Sequence, residues 1–263
     1  MSIELNILQN WINDSKNLVV ITGKDFSKEA GFPDYMEMDE DFLKTYKYTP
    51  DQMLRFTFLQ RYPMFFYRYY RAKILAPLLE AQPSSAHELL AQLEECGKLK
   101  AILTVNIDGI HQEAGSRNVL ELRGSVMRSW CSKCEQYLDF FYIADSPSVI
   151  PYCNVDMCGD YVRPAIVLKE EPYDLALLQR AIDHVRACDT LIIDGSALSE
   201  FPVPNLMQAY QGHKLVLVNT APLVFDARAS LVIRDQGTFS DIFSQLDLDL
   251  TPSASDTKEE TEP

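Results

Sequence analysis

Four of the cysteines stand in two closely spaced pairs, a pattern that could hold a metal ion. Cys131 and Cys134 are separated by two residues, and 18 residues further on Cys153 and Cys158 are separated by four. Two such pairs supply four thiolates, the ligand set of a closed, tetrahedral zinc site. Four ordinary reduced thiols are the alternative, which the wider second spacing leaves open. The pattern predicts a structural zinc ion that stabilises an insertion too small to have its own core.

Glycine and polar residues follow a set of short apolar runs, near 17–22, 99–104, 190–194 and 215–219. These residues are, in chain order, Gly23, Asn106, Asp108, Gly195, Ser196 and Asn219. In open α/β sheets, ligands bind beyond the carboxyl ends of parallel strands. We therefore expect these residues to outline one crevice, which would be the ligand site.

The elements that must position this crevice alternate between strand and helix. Helices are predicted near 4–14, from Pro50 with a break or kink at Pro63, over 84–97 and over 174–187. A further short strand is predicted over 166–168, beside the four runs named above. This alternation is typical of an α/β fold, a Rossmann-like parallel sheet with helices on both faces.

Composition narrows the range of partners and locations. The 263 residues, 47% of them hydrophobic, suffice for one large domain with an embedded smaller module. The net charge is 24 − 38 = −14, which argues against binding to nucleic acid. The first residues have no basic leader, and no segment approaches the roughly 20 apolar residues of a spanning helix. We expect a cytoplasmic protein with no membrane contact.

Six segments, in this order, resemble the sirtuin family across nearly the whole chain. They are VVITGKDFSKEAGFPDY, LTVNIDGIHQEAG, LELRGSVMRSWCSKC, VRPAIV, GSALSEFPVPNL and LVLVNT. The resemblance implies a Rossmann-like large domain and a small domain made of a zinc ribbon and a helical module. It also implies NAD in the cleft between them, used to remove acyl groups from lysine or, less often, to transfer ADP-ribose.

The resemblance also implies domain boundaries. The large domain would comprise 1–33, 84–127 and 163–250, the helical module 34–83 and the zinc-ribbon module 128–162. The acidic tail, 251–263, is predicted to be disordered because it has few apolar residues.

The family's phosphate-binding segment, GAGxS, is only partly kept. Gly23 and Ser27 match it, but Lys24 and Asp25 replace the alanine and the second glycine. A side chain there obstructs the approach of a pyrophosphate. The Asp25 carboxylate would also repel it, by about 4 kcal/mol at ~4 Å and an effective dielectric constant near 20. Lys24 would offset part of this repulsion if its ammonium group turned inward.

Other cofactor positions are partly retained. Pro33 and Asp34 match the family's cofactor loop, in which Met36 replaces an arginine. On the adenosine side, the Gly195-Ser196 turn resembles the family's GTS, and Asn219 matches the asparagine that meets the adenosine ribose. The family's FGE is replaced by the sequence KEE at 169–171, so the acyl-peptide groove is also changed.

The catalytic positions diverge most. Asn106 and Asp108 match the residues associated with nicotinamide, whereas Val105 replaces a glutamine associated with the ribose. Arg123 stands where the family has the histidine that acts as general base on the ribose hydroxyls. A guanidinium group, with a pKa above about 12, cannot accept that proton.

The changed residues all map to one crevice, while the cysteine pairs and core strands are intact. This favours a catalytically impaired or silent sirtuin-like protein that acts as a binding or regulatory module through protein partners, with a structural zinc ion and impaired binding of NAD. Arg123 and Lys24 could then hold a smaller anion or an acidic peptide.

Two alternatives remain at this stage. One is an NAD-dependent lysine deacylase or ADP-ribosyltransferase with a rewired site, in which Asn106 and Asp108 orient nicotinamide and acyl-lysine peptides are the partners. The other is a structural protein with an empty cleft.

Overall fold

The computed structural model describes residues 2–219, 221–234 and 237–251, and the greater part of the predicted disordered tail, 252–263, lies outside them. A six-stranded sheet in the order β3-β2-β1-β7-β8-β9 forms its centre, and every strand pair in it is parallel. The strands of the molecule are β1 Leu18–Thr22, β2 Leu99–Thr104, β3 Val119–Glu121, β4 Gly124–Cys131, β5 Tyr137–Asp139, β6 Val162–Ile166, β7 Thr190–Asp194, β8 Lys214–Val218 and β9 Leu231–Ile233.

The parallel sheet is covered on both faces, which explains why its strands are continuously apolar. All five residues of β1 and of β7 are buried. Because successive side chains in a strand point to opposite faces, Val20 contributes to one core and Val19 to the other. The predicted fold class, a Rossmann-like sheet between two layers of helices, is confirmed.

Most of the helices lie in these two layers or in the aromatic-rich segment over 42–78, and one packs against β4. They are α1 Ile3–Asp14, α2 Lys24–Glu29, α3 Phe42–Tyr46, α4 Pro50–Met53, α5 Phe56–Arg61, α6 Pro63–Tyr70, α7 Ala76–Leu78, α8 Ser85–Glu95, α9 Ile110–Glu113, α10 Phe140–Ala144, α11 Leu175–Ala187, α12 Val203–Ala209 and α13 Phe239–Phe243. Helices α1, α8 and α13 pack on one face of the sheet, and α11 and α12 pack on the other. Within the described residues, none of them combines the length and apolar character that a bilayer crossing requires.

The aromatic segment is more broken than the sequence predicts. The predicted break at Pro63 is confirmed, because α5 ends at Arg61 and α6 begins at Pro63. A second break lies at Arg55, whose backbone is extended. Its cause is tertiary: the Phe56 amide donates to the Lys169 carbonyl at 3.0 Å, so the chain leaves the helix to pair with a distant loop.

A second sheet, antiparallel and in the order β5-β4-β6, carries the cysteines. The strand predicted over 166–168 was misplaced: the strand runs from Val162 to Ile166 and pairs antiparallel with β4, outside the parallel sheet. Pro164 is tolerated because β6 is an edge strand, where a missing amide donor can face outward.

Candidate metal centre and remodelled cleft

The four paired cysteines converge at the end of β4. The Sγ atoms of Cys131 and Cys158 are 3.4 Å apart, and those of Cys134 and Cys153 are 3.7 Å apart. All four sulfurs lie within 4.8 Å of one another. Tetrahedral zinc with Zn–S bonds of about 2.3 Å requires sulfurs roughly 3.8 Å apart. The cluster therefore fits a structural zinc ion, and the four thiolates would fill all of its coordination positions.

The loops after β1 and β2 are joined by side chains. The Asn106 amide donates to the Gly23 carbonyl at 2.8 Å, and the Ser27 hydroxyl donates to Asp108 at 2.5 Å. Burial raises the pKa of Asp108, and hydrogen bonds from Ser27 and from the Ile110 amide offset part of that shift. Asn106 and Asp108 are thus held against the turn and the helix that follow β1.

The turns after β1, β7 and β8 pack closely together, which explains the glycines in the first two. A Cβ atom on Gly23 would lie 2.7 Å from the Ala197 nitrogen, and one on Gly195 would lie 2.4 Å from the Asn219 Cβ. Such distances leave no room for any side chain. Gly23, Asn106, Gly195 and Ser196 therefore lie together at the carboxyl edge of the sheet, and Asp108 contacts Ser27 of the helix that follows Gly23.

The side chain of Lys24 is directed toward the loop that contains Asp34. Its ammonium group lies 2.8 Å from Asp34, whose side chain is only 9% exposed. This hydrogen bond raises the pKa of Lys24. Burial opposes ionisation of Asp34, but Lys24 and the Met36 amide lower its pKa overall. Lys24 thus neutralises the carboxylate of Asp34. Lys24, Pro33 and Asp34 line the same cavity.

Arg123 is held in an ion pair across the cleft. Its guanidinium group lies 2.8 Å from the Glu200 carboxylate, and the side chains are 21% and 45% exposed. Burial opposes its charge, but Tyr35 and Glu200 raise the pKa of Arg123 overall. Arg123 is therefore a cation held in place by Glu200.

These two ion pairs line a cavity of about 180 Å³. Its charged and polar wall includes Lys24, Asp34, Tyr35, Asn106, Arg123 and Glu200. Two cations face two carboxylates, so the charges cancel. The expectation that Arg123 and Lys24 attract an anion is weakened, because each already faces a carboxylate.

A second cavity, of about 610 Å³, lies beyond β8 and contains Asp25 and Asn219. Val218, Ile233 and Phe239 give it an apolar wall. The Asn219 amide donates to the Ala221 carbonyl at 2.7 Å, while its buried Oδ1 has no hydrogen-bond partner among the described residues. Asn219 therefore has an unsatisfied acceptor among the described residues, and Asp25 lines the same cavity.

The segment that replaces the family's FGE is anchored away from the cleft. Glu171 forms a two-bond pair with Arg163, at 2.5 and 2.7 Å. Glu170 has a φ of +78°, a conformation that favours glycine, and its carboxylate accepts hydrogen bonds from the amide and hydroxyl of Thr57. The helical segment thus holds this loop in place.

Two acidic residues near the cleft, Asp194 and Glu200, were not predicted from the sequence. Asp194 accepts hydrogen bonds from the Gly23 amide at 3.0 Å and the Ser196 amide at 2.8 Å. Glu200 partners Arg123. A carboxylate at the end of the apolar run TLIID is a signal that could have identified Asp194, but nothing local distinguishes Glu200.

The chain is similar in sequence to known proteins. A model of the Sir2 family matches residues 23–202, more than half of the chain. The chain belongs to the Sir2, or sirtuin, family. Its relatives include an NAD-dependent protein deacetylase of Clostridium perfringens, 42% identical over 238 residues, covering 89% of this chain and 96% of the relative. A Clostridium tetani protein with the same name is 40% identical, covering 87% and 92%.

Solved sirtuin structures agree with the fold. Sir2Tm bound to a propionylated peptide has a TM-score of 0.79 at 31% identity, covering 92% of this chain and 97% of that one. A Sir2 complex with a p53 peptide and NAD+ has a TM-score of 0.78 at 30% identity, covering 93% and 97%. The sirtuin resemblance, the fold class and the fit to zinc are confirmed.

Proposed function

We propose that this sirtuin does not remove acyl groups from lysine by the family's histidine-dependent route, and that it acts as a binding or regulatory module. The observation that carries the proposal is the Arg123–Glu200 ion pair at the general-base position. General-base catalysis requires a group that can take up a proton within hydrogen-bond reach. A guanidinium group has no free acceptor, and its carboxylate partner holds it charged.

The phosphate loop supports the same proposal. Lys24 and Asp25 place two side chains where the family has alanine and glycine, and the ammonium group of Lys24 is already paired with Asp34 at 2.8 Å. The compensating cation is therefore not free, and the Asp25 carboxylate remains to repel a diphosphate. Sir2 structures hold acylated peptides, which supports peptides or proteins as the class of partner.

A calorimetric titration with NAD of the zinc-loaded protein tests this proposal. We expect no heat of binding up to millimolar NAD in the wild type. Asp25→Gly should strengthen the binding of NAD by at least about tenfold. A tenfold change corresponds to about 1.4 kcal/mol, which is less than the repulsion that the carboxylate would exert on a diphosphate. Asp183→Asn, an equal change of charge on the exposed side of α11, is the matched control. Micromolar binding of NAD by the wild type would overturn the proposal.

A second candidate is an NAD-consuming enzyme with a rewired site, either a deacylase or an ADP-ribosyltransferase. The intact contacts of Asp108 with Ser27 and of Asn106 with Gly23 favour it, because these residues are associated with nicotinamide. The relatives are named NAD-dependent deacetylases, and Sir2 structures hold acylated peptides, so acyl-lysine peptides would be its partners. Release of nicotinamide from NAD that Asp108→Ala abolishes would support this candidate, and no release would exclude it.

A further inference from the structure

Asp194 is a buried carboxylate that no cation neutralises within the part of the chain that the structure describes. It is the last residue of β7 and is fully buried, at 0% exposure. None of the salt bridges among the described residues involves it. A buried carboxylate is strongly unfavourable unless hydrogen bonds compensate it. Its partners are two backbone amides, those of Gly23 and Ser196.

These amides belong to the two turns that open the cleft. Gly23 follows β1 and Ser196 follows β7, where N–H groups of an open α/β sheet commonly face a ligand phosphate. A third donor of the same turns, the Asp25 amide, donates to the Ser196 hydroxyl at 3.2 Å. Three N–H donors of these two turns are therefore satisfied from within the protein.

We propose that Asp194 is a specificity-determining residue: its carboxylate acts as a built-in anion on the amides of Gly23 and Ser196 and disfavours a diphosphate in this cleft. The inference deepens the proposed function, on which it rests for the identity of the ligand site. Burial, and then repulsion from Asp25, raise the pKa of Asp194 to about 7. Its charge is therefore fully developed only above neutral pH, and the test belongs at pH 8.

A purely structural role predicts something different. The Asp194 side chain caps the 3-10 turn Gly195–Ser199, and a cap contributes to stability without affecting ligand choice. Removing a cap lowers stability whatever ions are present. Removing a built-in anion also frees two amides, which a small added anion can then occupy.

The experiment compares the wild type with Asp194→Ala and with the control Asp183→Ala, at pH 8. The probes are formate, in thermal unfolding, and inorganic pyrophosphate, in calorimetry. We expect formate to raise the Tm of Asp194→Ala but not of the other two proteins. Pyrophosphate should bind Asp194→Ala at least about tenfold more tightly than it binds the wild type.

The inference would be overturned by a folded Asp194→Ala variant whose Tm does not rise in formate and which binds pyrophosphate as weakly as the wild type does. If the alanine variant fails to fold, Asp194→Asn, which keeps the side-chain size, replaces it; unchanged pyrophosphate binding there has the same meaning. Neither probe is a substrate. Turnover of an acyl peptide would therefore refute the proposed function without deciding this inference, and the reverse also holds.

Discussion

The raised pKa of Asp194 predicts a measurable dependence of stability on pH. Its ordinary value is 3.8 and burial raises it to about 7 in the folded protein. Between these values the folded state binds a proton that the unfolded state has released. Stability contributed by the protonated form is therefore complete below about pH 4 and is lost as pH rises toward 7. A shift of roughly three pKa units corresponds to about 4 kcal/mol of unfolding free energy.

Asp194→Asn removes this titration and keeps the size of the side chain. Urea unfolding of both proteins from pH 4 to pH 8 isolates the effect, because all other titrating groups are shared. Near pH 4 the variant should be less stable by about 1 kcal/mol, since one amide hydrogen bond is lost. By pH 8 the difference should have moved by up to about 4 kcal/mol in favour of the variant. A difference that stays constant with pH would refute the reasoning.

Three further predictions follow from local geometry. Gly23→Ala should lower the free energy of unfolding, measured in urea, by more than about 2 kcal/mol, because the new Cβ would lie 2.7 Å from the Ala197 nitrogen. The control Gly159→Ala, whose Cβ would meet nothing within 4 Å, should lower it by about 1 kcal/mol. Equal effects of the two substitutions would contradict the packing argument. Burial lowers the pKa of His87 from 6.5 to about 4, so stability should fall by about 3 kcal/mol more in the wild type than in His87→Gln as pH drops through this window. Cys134→Ser should reduce the zinc content, measured with a chelating dye, from about one ion per chain to near zero, and an unchanged content would exclude the tetrathiolate site.

The extent to which the fold was predictable depended on burial. β1 and β7 are covered on both faces, so their sequences are continuous apolar runs that local reading detects. β3 and β9 are only three residues long, which is too short for a pattern of apolar residues to identify them as strands. The pairing of β6 with β4 is set by a sheet partner far along the chain, which no local pattern encodes.

The same distinction applies to the site. The glycines and polar residues that follow the strands were predictable from strand ends, and the substitution at Arg123 from the family resemblance. The partners of these residues were not. Asp194 meets the Gly23 amide across 171 positions of sequence, and Glu200 meets Arg123 across 77. Such pairs exist because the folded sheet brings together turns that are distant along the chain.

The most direct test of the central claim is a single-turnover reaction with NAD and an acetyl-lysine peptide, in which nicotinamide and deacetylated peptide are measured from the same sample. Because Arg123 is a fixed cation paired with Glu200, we predict no deacetylated peptide from the wild type, whether or not nicotinamide is released. Arg123→Lys, which keeps the charge, should behave in the same way. Formation of deacetylated peptide by the wild type in proportion to the enzyme present would contradict the account.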